Sequence, residues 1–184
     1  VRLARDYYED KHGAHSLGYR MLPTMRELLP ATIRNMVDPK QKLPKGAELK
    51  HRYATAIPVG TAIAQSFNLG FAEVCGDIVG EEMERFGNHL WLAPALNIHR
   101  SILCGRNFEY YSEDPAVSGL MAAAVSRGVQ KHPGRGVTIK HFAANNQEYN
   151  RVNSNSCVSQ RALREIYLRG FGLCIRESQP CAVM

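Results

Sequence analysis

Four cationic side chains fall in two short polar stretches of this 184-residue chain, Arg106 in the first and Lys140, His141 and Arg151 in the second. Charged donors at fixed points make the stronger hydrogen bonds, about 1.5–3 kcal/mol each, that recognition of a polar ligand uses. Carboxylates stand beside them: Glu109, Glu113 and Asp114 in the first stretch, Glu148 in the second. A pair of carboxyl groups can carry acid–base or nucleophilic chemistry. None of these four is a convincing nucleophile, because Asp114 precedes Pro115 as a helix cap does, and Glu113 adjoins it. Glu109 and Glu148 fit better as partners of the neighbouring cations, so no catalytic residue is assigned within the chain. Arg106 serves equally well as a structural ion pair with Glu109 or Glu113, and a histidine such as His141 is commonly a satisfied core residue. Lys140 is harder to explain structurally, since it follows an apolar run where a solvated lysine is unusual.

Both polar stretches follow apolar runs. Leu90 to Asn97, L-W-L-A-P-A-L-N, suits a strand buried on both faces. The polar groups that follow it, Asn97 to Asp114 with Phe108, Tyr110 and Tyr111 among them, have the profile of a functional loop at a strand's carboxyl end. Gly136 to Phe142 reads as a second strand, and Asn145 to Ser156 as the loop after it. Before Leu90, Ala54 to Asn68 suggests a strand and tight turn, and Asn68 caps a helix with Phe71, Val74, Cys75, Ile78, Val79 and Phe86 at helical spacing, closed by Gly87. Asp114 and Pro115 open another helix, which His132-Pro133-Gly134 stops. Ser159 caps a third, with Leu163, Ile166, Tyr167, Gly170, Phe171, Cys174 and Ile175 as its stripe, closed by Pro180 before a final strand.

Alternating helix and strand is the pattern of βα units on a parallel sheet, and crossovers of one hand place the polar loops at one end. The fold class is therefore α/β, a partial (β/α)8 TIM-type barrel: a full barrel needs about 250 residues, so this chain holds roughly half of one. A doubly wound sheet is the alternative, although no G-x-G-x-x-G follows a strand. Residues 1–184 are treated as a single partial domain, within which 1–50 is an irregular excursion with one or two short helices such as Met21 to Leu29. The chain opens without methionine and stops on Cys181-Ala182-Val183-Met184, the beginning of a buried strand, so it is expected to be a fragment.

The runs N-I-H-R at 97–100, G-R-N-F-E-Y-Y-S-E-D-P at 105–115 and I-K-H-F-A-A-N-N-Q-E-Y-N-R at 139–151 resemble the N-terminal barrel domain of family 3 glycoside hydrolases, the β-glucosidase and β-xylosidase group. The likeness extends more loosely over the whole chain. One departure stands out: where many members read H-R-D-P-x-x-G-R, this chain has His99-Arg100-Ser101-Ile102-Leu103-Cys104-Gly105-Arg106. The resemblance implies that Arg106, Lys140, His141 and Arg151 hold sugar hydroxyls in the first subsite. It also places Arg2 near the sugar and Met184 on the subsite wall. It further implies a retaining enzyme that removes β-linked glucosyl or xylosyl residues from non-reducing ends, with its nucleophile and acid/base on later segments. K-H-F-A-A-N-N-Q-E differs from the K-H-F-P-G-H-G of the family's hexosaminidase branch, which favours glucosidase or xylosidase. Both Lys140 and His141 would reach the sugar, yet successive strand residues point to opposite faces. The backbone is therefore expected to leave regular strand geometry there, by a bulge, an unusual dihedral or a non-proline cis peptide.

Composition limits the other classes. With 45% hydrophobic and 22% charged residues the chain has ordinary globular composition. No apolar run approaches the roughly 20 residues of a membrane span, and the N-terminus lacks a signal-peptide core. Five cysteines, an odd number without a C-x-x-C pair, fit free thiols in a reducing compartment, so a cytoplasmic location is expected. Cys75 and Cys174 read as buried hydrophobes, and Cys104 has no Cys-His-Asn arrangement beside it. The net charge of +6 raises a nucleic-acid module as an alternative, but the basic residues from Arg127 to Lys140 cluster weakly. A metal-dependent barrel hydrolase is a second alternative, although His99, His141 and Glu148 show neither H-x-H nor H-E-x-x-H spacing. No metal or cofactor is assigned; the expected partner is a small carbohydrate, with no nucleic acid and no membrane.

Overall fold

The computed structural model describes residues 3–10, 13–16, 30 and 48–184, with side chains at 30 and from 53 onward. Arg2 and the helix expected at Met21 to Leu29 lie outside the described residues. The chain forms two units, Val1–Ala56 and Ile57–Met184. In the first, β1 (Leu3–Asp10) pairs antiparallel with β2 (Gly13–Ser16) on one side and with β3 (Glu48–Ala54) on the other. The sequence, lacking a sustained period, pointed to irregular chain here; a sheet with no regular apolar alternation gives little signal of its strands.

The second unit alternates helices with parallel strands. Its elements are α1 (Gly60–Gln65), α2 (Leu69–Phe86), β4 (Leu90–Trp91), α3 (Pro115–Gln130), β5 (Gly136–Ile139), α4 (Gln160–Ala162), α5 (Arg169–Ser178) and β6 (Ala182–Val183). Caps fall where the sequence places them. The Asn68 side chain accepts the Phe71 N–H at 3.0 Å, and Gly87 closes α2 at φ 70°. Asp114 accepts the N–H groups of Ala116 (2.6 Å) and Val117 (3.1 Å), with Pro115 in the first turn of α3. The helix expected from Ser159 onward is interrupted: Leu163–Tyr167 forms a π turn between α4 and α5.

The strands run parallel in the order β4-β5-β6, with Trp91 opposite Val137 and Ile139 opposite Val183. β4 is shorter than the expected Leu90 to Asn97, because Pro94 has no N–H to give a ladder. Pairing resumes beyond it: the Lys140 N–H reaches the Pro94 carbonyl at 3.1 Å, and Leu96 N–H reaches the Lys140 carbonyl at 2.8 Å. β5 likewise stops at Ile139 rather than Phe142.

α3 is buried along nearly its whole length, between α2 and α5, over a core that includes Ile63, Leu96, Val125, Val129, Val137, Ile139 and Phe171. The stripe that α2 buries is Ala72, Cys75, Gly76, Gly80 and Met83, while Phe71 and Val74 are exposed. Small residues win that face because the backbones approach closely. A Cβ at Gly76 would collide with the Val125 carbonyl, and one at Gly128 with that of Glu73. Ion pairs fasten the far end: Glu73 with Lys131 (2.8 Å) and Arg127 (3.3 Å), and Asp77 with His132 (2.9 Å). Much of the Arg127 to Lys140 charge is thus engaged within the fold. Among the described residues no helix is long and apolar enough to cross a membrane.

This packing gives a contrast between two glycines. Gly128→Ala should destabilise by about 1–3 kcal/mol, as overpacking does. Gly172→Ala, where nothing lies within 4 Å, should be neutral or stabilising by about 0.5–1 kcal/mol. Urea midpoints measure both, and equal shifts would show that α2 and α3 are not in close contact.

Candidate functional site

The carboxyl ends of β4 and β5 deliver two loops, 97–114 and 140–157, and a chain of alternating charges joins them. Arg151 Nη1 lies 3.3 Å from Glu148, Glu148 lies 3.9 Å from Arg106 Nε, Arg106 Nε donates to Glu109, and Glu109 lies 3.5 Å from Lys140 Nζ. The side chains of Arg106, Glu109, Lys140 and Glu148 are each less than a quarter exposed, whereas that of Arg151 is 55% exposed. Three of the sequence-predicted residues therefore stand around one carboxylate: Arg106, Lys140 and, through its electrostatic effect, His141. Arg151 joins at the rim. Met184 is fixed by its backbone, giving its N–H to Ile139 (2.9 Å) and accepting from Phe142 N–H (2.6 Å), with its residue surface half exposed.

The first loop is held from below by α1. The Thr61 hydroxyl lies within 3.0 Å of the Asn107 carbonyl and 2.9 Å of the Tyr110 carbonyl. Gly60 is required there, since an added Cβ would come 2.6 Å from the Glu109 carbonyl oxygen. Within the loop, His99 Nε2 donates to the Asn107 carbonyl (2.9 Å), and Asn107 Nδ2 donates to that of Ser101 (2.7 Å). The second loop is tied to the first by Asn146, whose Nδ2 donates to the Ile98 carbonyl, and by Asn145, which donates to the Tyr110 hydroxyl (3.1 Å) and to Glu148 (3.0 Å).

The backbone leaves regular strand geometry where both side chains were expected to reach one site: the Lys140–His141 and Phe142–Ala143 peptides are cis. Sequence reasoning placed two residues in the first loop without giving them a role, and the structure makes both central. Asn97, 3% exposed, bonds both backbone polar groups of His141, and Tyr110, fully buried, bridges His141 and Asn145. A polar residue ending an apolar strand was the available signal for Asn97; an aromatic among loop polar groups was the signal for Tyr110.

Electrostatics follow from this crowding. Burial raises the Glu109 pKa, but the Arg106 hydrogen bond and the charges of Lys140 and Arg106 outweigh it, leaving the carboxyl below its ordinary range. Burial, then the positive charges of Arg106 and Lys140, push His141 down to about 4 against the opposing carboxylates. The arrangement is thus Arg106 and Lys140 about the Glu109 carboxylate, with Glu148 also facing Arg106, and an imidazole uncharged at neutral pH. It can bind a neutral polar ligand through several fixed donors. Among the described residues no group of three or more His, Cys, Asp or Glu side chains could hold a metal ion. Cys104 is buried beside Ala95 and Tyr110, consistent with packing.

Comparison with known proteins gives a family match. The model of the glycosyl hydrolase family 3 N-terminal domain matches residues 4–184. The β-glucosidase A of Butyrivibrio fibrisolvens is 49% identical over 128 residues, which is 70% of this chain and 15% of that protein. A β-glucosidase of Ruminococcus albus is 48% identical over 131 residues, 71% of this chain and 14% of that protein. Among solved structures, β-glucosidase 3B from Thermotoga neapolitana in complex with α-D-glucose is similar with TM-score 0.69 and 54% identity, covering 71% of this chain and 18% of that one. The chain thus spans less than a fifth of the length of these relatives.

The depressed His141 pKa predicts a pH effect. An imidazole that resists protonation in the folded state makes the unfolded chain bind more protons between about 6.5 and about 4, so stability falls as pH falls through that window. His141→Gln should lose less stability than the unsubstituted protein between pH 7 and pH 4.5 (both about), read as the difference in Tm. Parallel losses would show that His141 is not held neutral.

Proposed function

The chain belongs to glycosyl hydrolase family 3, as part of its N-terminal domain, and from that premise we propose that it supplies the sugar-binding side of a β-glycosidase site. The whole protein, on this reading, removes β-linked glucosyl or xylosyl residues from non-reducing ends with retention of configuration. The observation that carries the reading is the gathering of Arg106, Lys140 and His141 around Glu109 at the carboxyl ends of β4 and β5. Arg106 and Lys140 offer charged donors to sugar oxygens, His141 an uncharged ring, and Arg151 a more solvated donor at the rim. Glu109 aims the two cations.

A retaining mechanism needs two carboxyl groups about 5–5.5 Å apart, one as nucleophile and one as acid/base. Glu109 and Glu148 are committed to Arg106, Lys140 and Arg151, and Asp114 caps α3. The catalytic pair is therefore assigned to parts of the protein beyond these 184 residues. Names of relatives support the substrate class: the matched proteins are called β-glucosidases, and one solved relative holds α-D-glucose.

In the full-length protein, Arg106→Ala and Lys140→Ala should each lower kcat/KM for an aryl β-glucoside about 10²-fold or more, since each removes charged hydrogen bonds of about 1.5–3 kcal/mol that tighten in the transition state. Unchanged kinetics in both would remove them from the site. The isolated 184-residue chain should cleave no aryl β-glucoside above background. Turnover that disappears on mutating Glu109 or Glu148 would overturn the assignment of the catalytic pair.

A further inference from the structure

The contacts between Asn97 and His141 determine which ring nitrogen carries the proton. A backbone carbonyl only accepts, so the Asn97 atom 2.9 Å from the His141 oxygen must be the amide nitrogen. A backbone N–H only donates, so the Asn97 atom 2.8 Å from the His141 nitrogen must be Oδ1. The amide orientation is thereby fixed by two independent partners. The same Oδ1 lies 3.1 Å from His141 Nδ1. Two bare acceptors at that separation in a half-buried site would repel, so Nδ1 must carry a hydrogen. The Tyr110 hydroxyl is the other group near Nδ1, at the longer distance of 3.5 Å, and it already accepts from Asn145. Its ring meets the imidazole edge-on at 6.1 Å.

We infer that Asn97 is a positioning residue that fixes His141 as the Nδ1–H tautomer, so that Nε2 faces the sugar as a hydrogen-bond acceptor. The inference rests on the proposed sugar site for its ligand, but not for the tautomer itself. Nε2 has no hydrogen-bond partner among the described residues. The groups facing the ring reinforce the single protonation: Arg106 and Lys140 disfavour a second proton more than Glu109 and Glu148 favour it, and Tyr110 stays neutral. The arrangement answers a requirement of hydroxyl recognition. Arg106 and Lys140 only donate, and Glu109 and Glu148 already face cations, so a sugar O–H gains from a further acceptor that no protein donor engages. Nε2 is that acceptor. The cations bind the sugar oxygens, and one hydroxyl proton points at His141.

The test is long-range proton–nitrogen NMR of the full-length protein labelled at its histidine rings, with His141 assigned by its loss in His141→Gln. At neutral pH the expected spectrum has a protonated Nδ1 and a pyridine-type Nε2. A protonated Nε2 would overturn the inference. Asn97→Asp keeps the acceptor and adds charge, so the tautomer should persist while the imidazole and the acid limb of kcat/KM titrate at higher pH. An unmoved acid limb would count against it. Asn97→Leu, provided its Tm stays near the parent's, should mix the tautomers and lower kcat/KM about tenfold or more, the effect of one misaligned hydrogen bond. A pure Nδ1–H signal in that variant would show that Asn97 does not set the tautomer. If the parent protein is folded but cleaves no glycoside, the proposed function fails, and the spectrum still decides the tautomer.

Discussion

The Glu109 carboxylate, lodged between Arg106 and Lys140, is the interaction on which the site depends. Two cations on different loops, each less than a quarter exposed, would repel and lose hydration without an anion between them. Removing the carboxylate would leave buried charge uncompensated, which is costlier than the pair is worth in net stability. The same carboxylate depends on both partners, since burial raises its pKa while the Arg106 hydrogen bond and the Lys140 and Arg106 charges bring it below the ordinary range. Glu148 extends the arrangement by facing both Arg106 and Arg151, so the loop after β4 and the loop after β5 are joined by charge as well as by the asparagine bonds.

That carboxylate is placed by backbone. Gly60 allows α1 to approach the Glu109 carbonyl, and Thr61 binds the carbonyls on either side of it, at Asn107 and Tyr110. Lys140 is placed by sheet register, bonded to Pro94 and Leu96 at the end of β4. Behind the sheet, α3 is clasped by α2 and α5 through glycines at 76, 128, 119 and 170, which leave little freedom for either loop's base to shift. Precision at the site thus draws on close helix contacts away from the loops themselves.

Local features were legible from residues alone. Asn68, Gly87 and Asp114 cap helices through atoms three or fewer residues away, and such bonds are encoded where they act. The parallel α/β pattern was legible from the alternation of helical and strand-like runs, whereas residue types alone left Arg106 as a structural ion pair and His141 as a core histidine, and only the resemblance to the family singled out the cation set. The membership of α2's buried stripe was not, because hydrophobicity favours Phe71 and Val74, while the contact distance with α3 selects Ala72, Gly76 and Gly80. Nor was the clamp of Asn97 on His141, which joins residues 44 positions apart through a register that only the folded sheet sets. Strand lengths were overestimated because Pro94 interrupts the ladder inside the first apolar run and the second ends its regular pairing at Ile139.

The loop from Ser101 to Cys104 is held by bonds that do not depend on its outer side chains. Where many family members have Asp-Pro, this chain has Ser101-Ile102, yet the Ser101 hydroxyl accepts the Leu103 N–H at 3.3 Å, the turn-forming bond that an aspartate can also make. The Ser101 carbonyl then accepts from Cys104 N–H (3.1 Å) and from Asn107 Nδ2, closing the turn on both sides. The side chains of Ile102 and Leu103 project outward, the residues being 95% and 88% exposed, and so take no part in holding it. Cys104 turns inward against Ala95 and Tyr110 and anchors the chain two residues before Arg106. Backbone bonds and one buried thiol therefore deliver the arginine, and the identity of the loop's outer residues is free to vary without moving it.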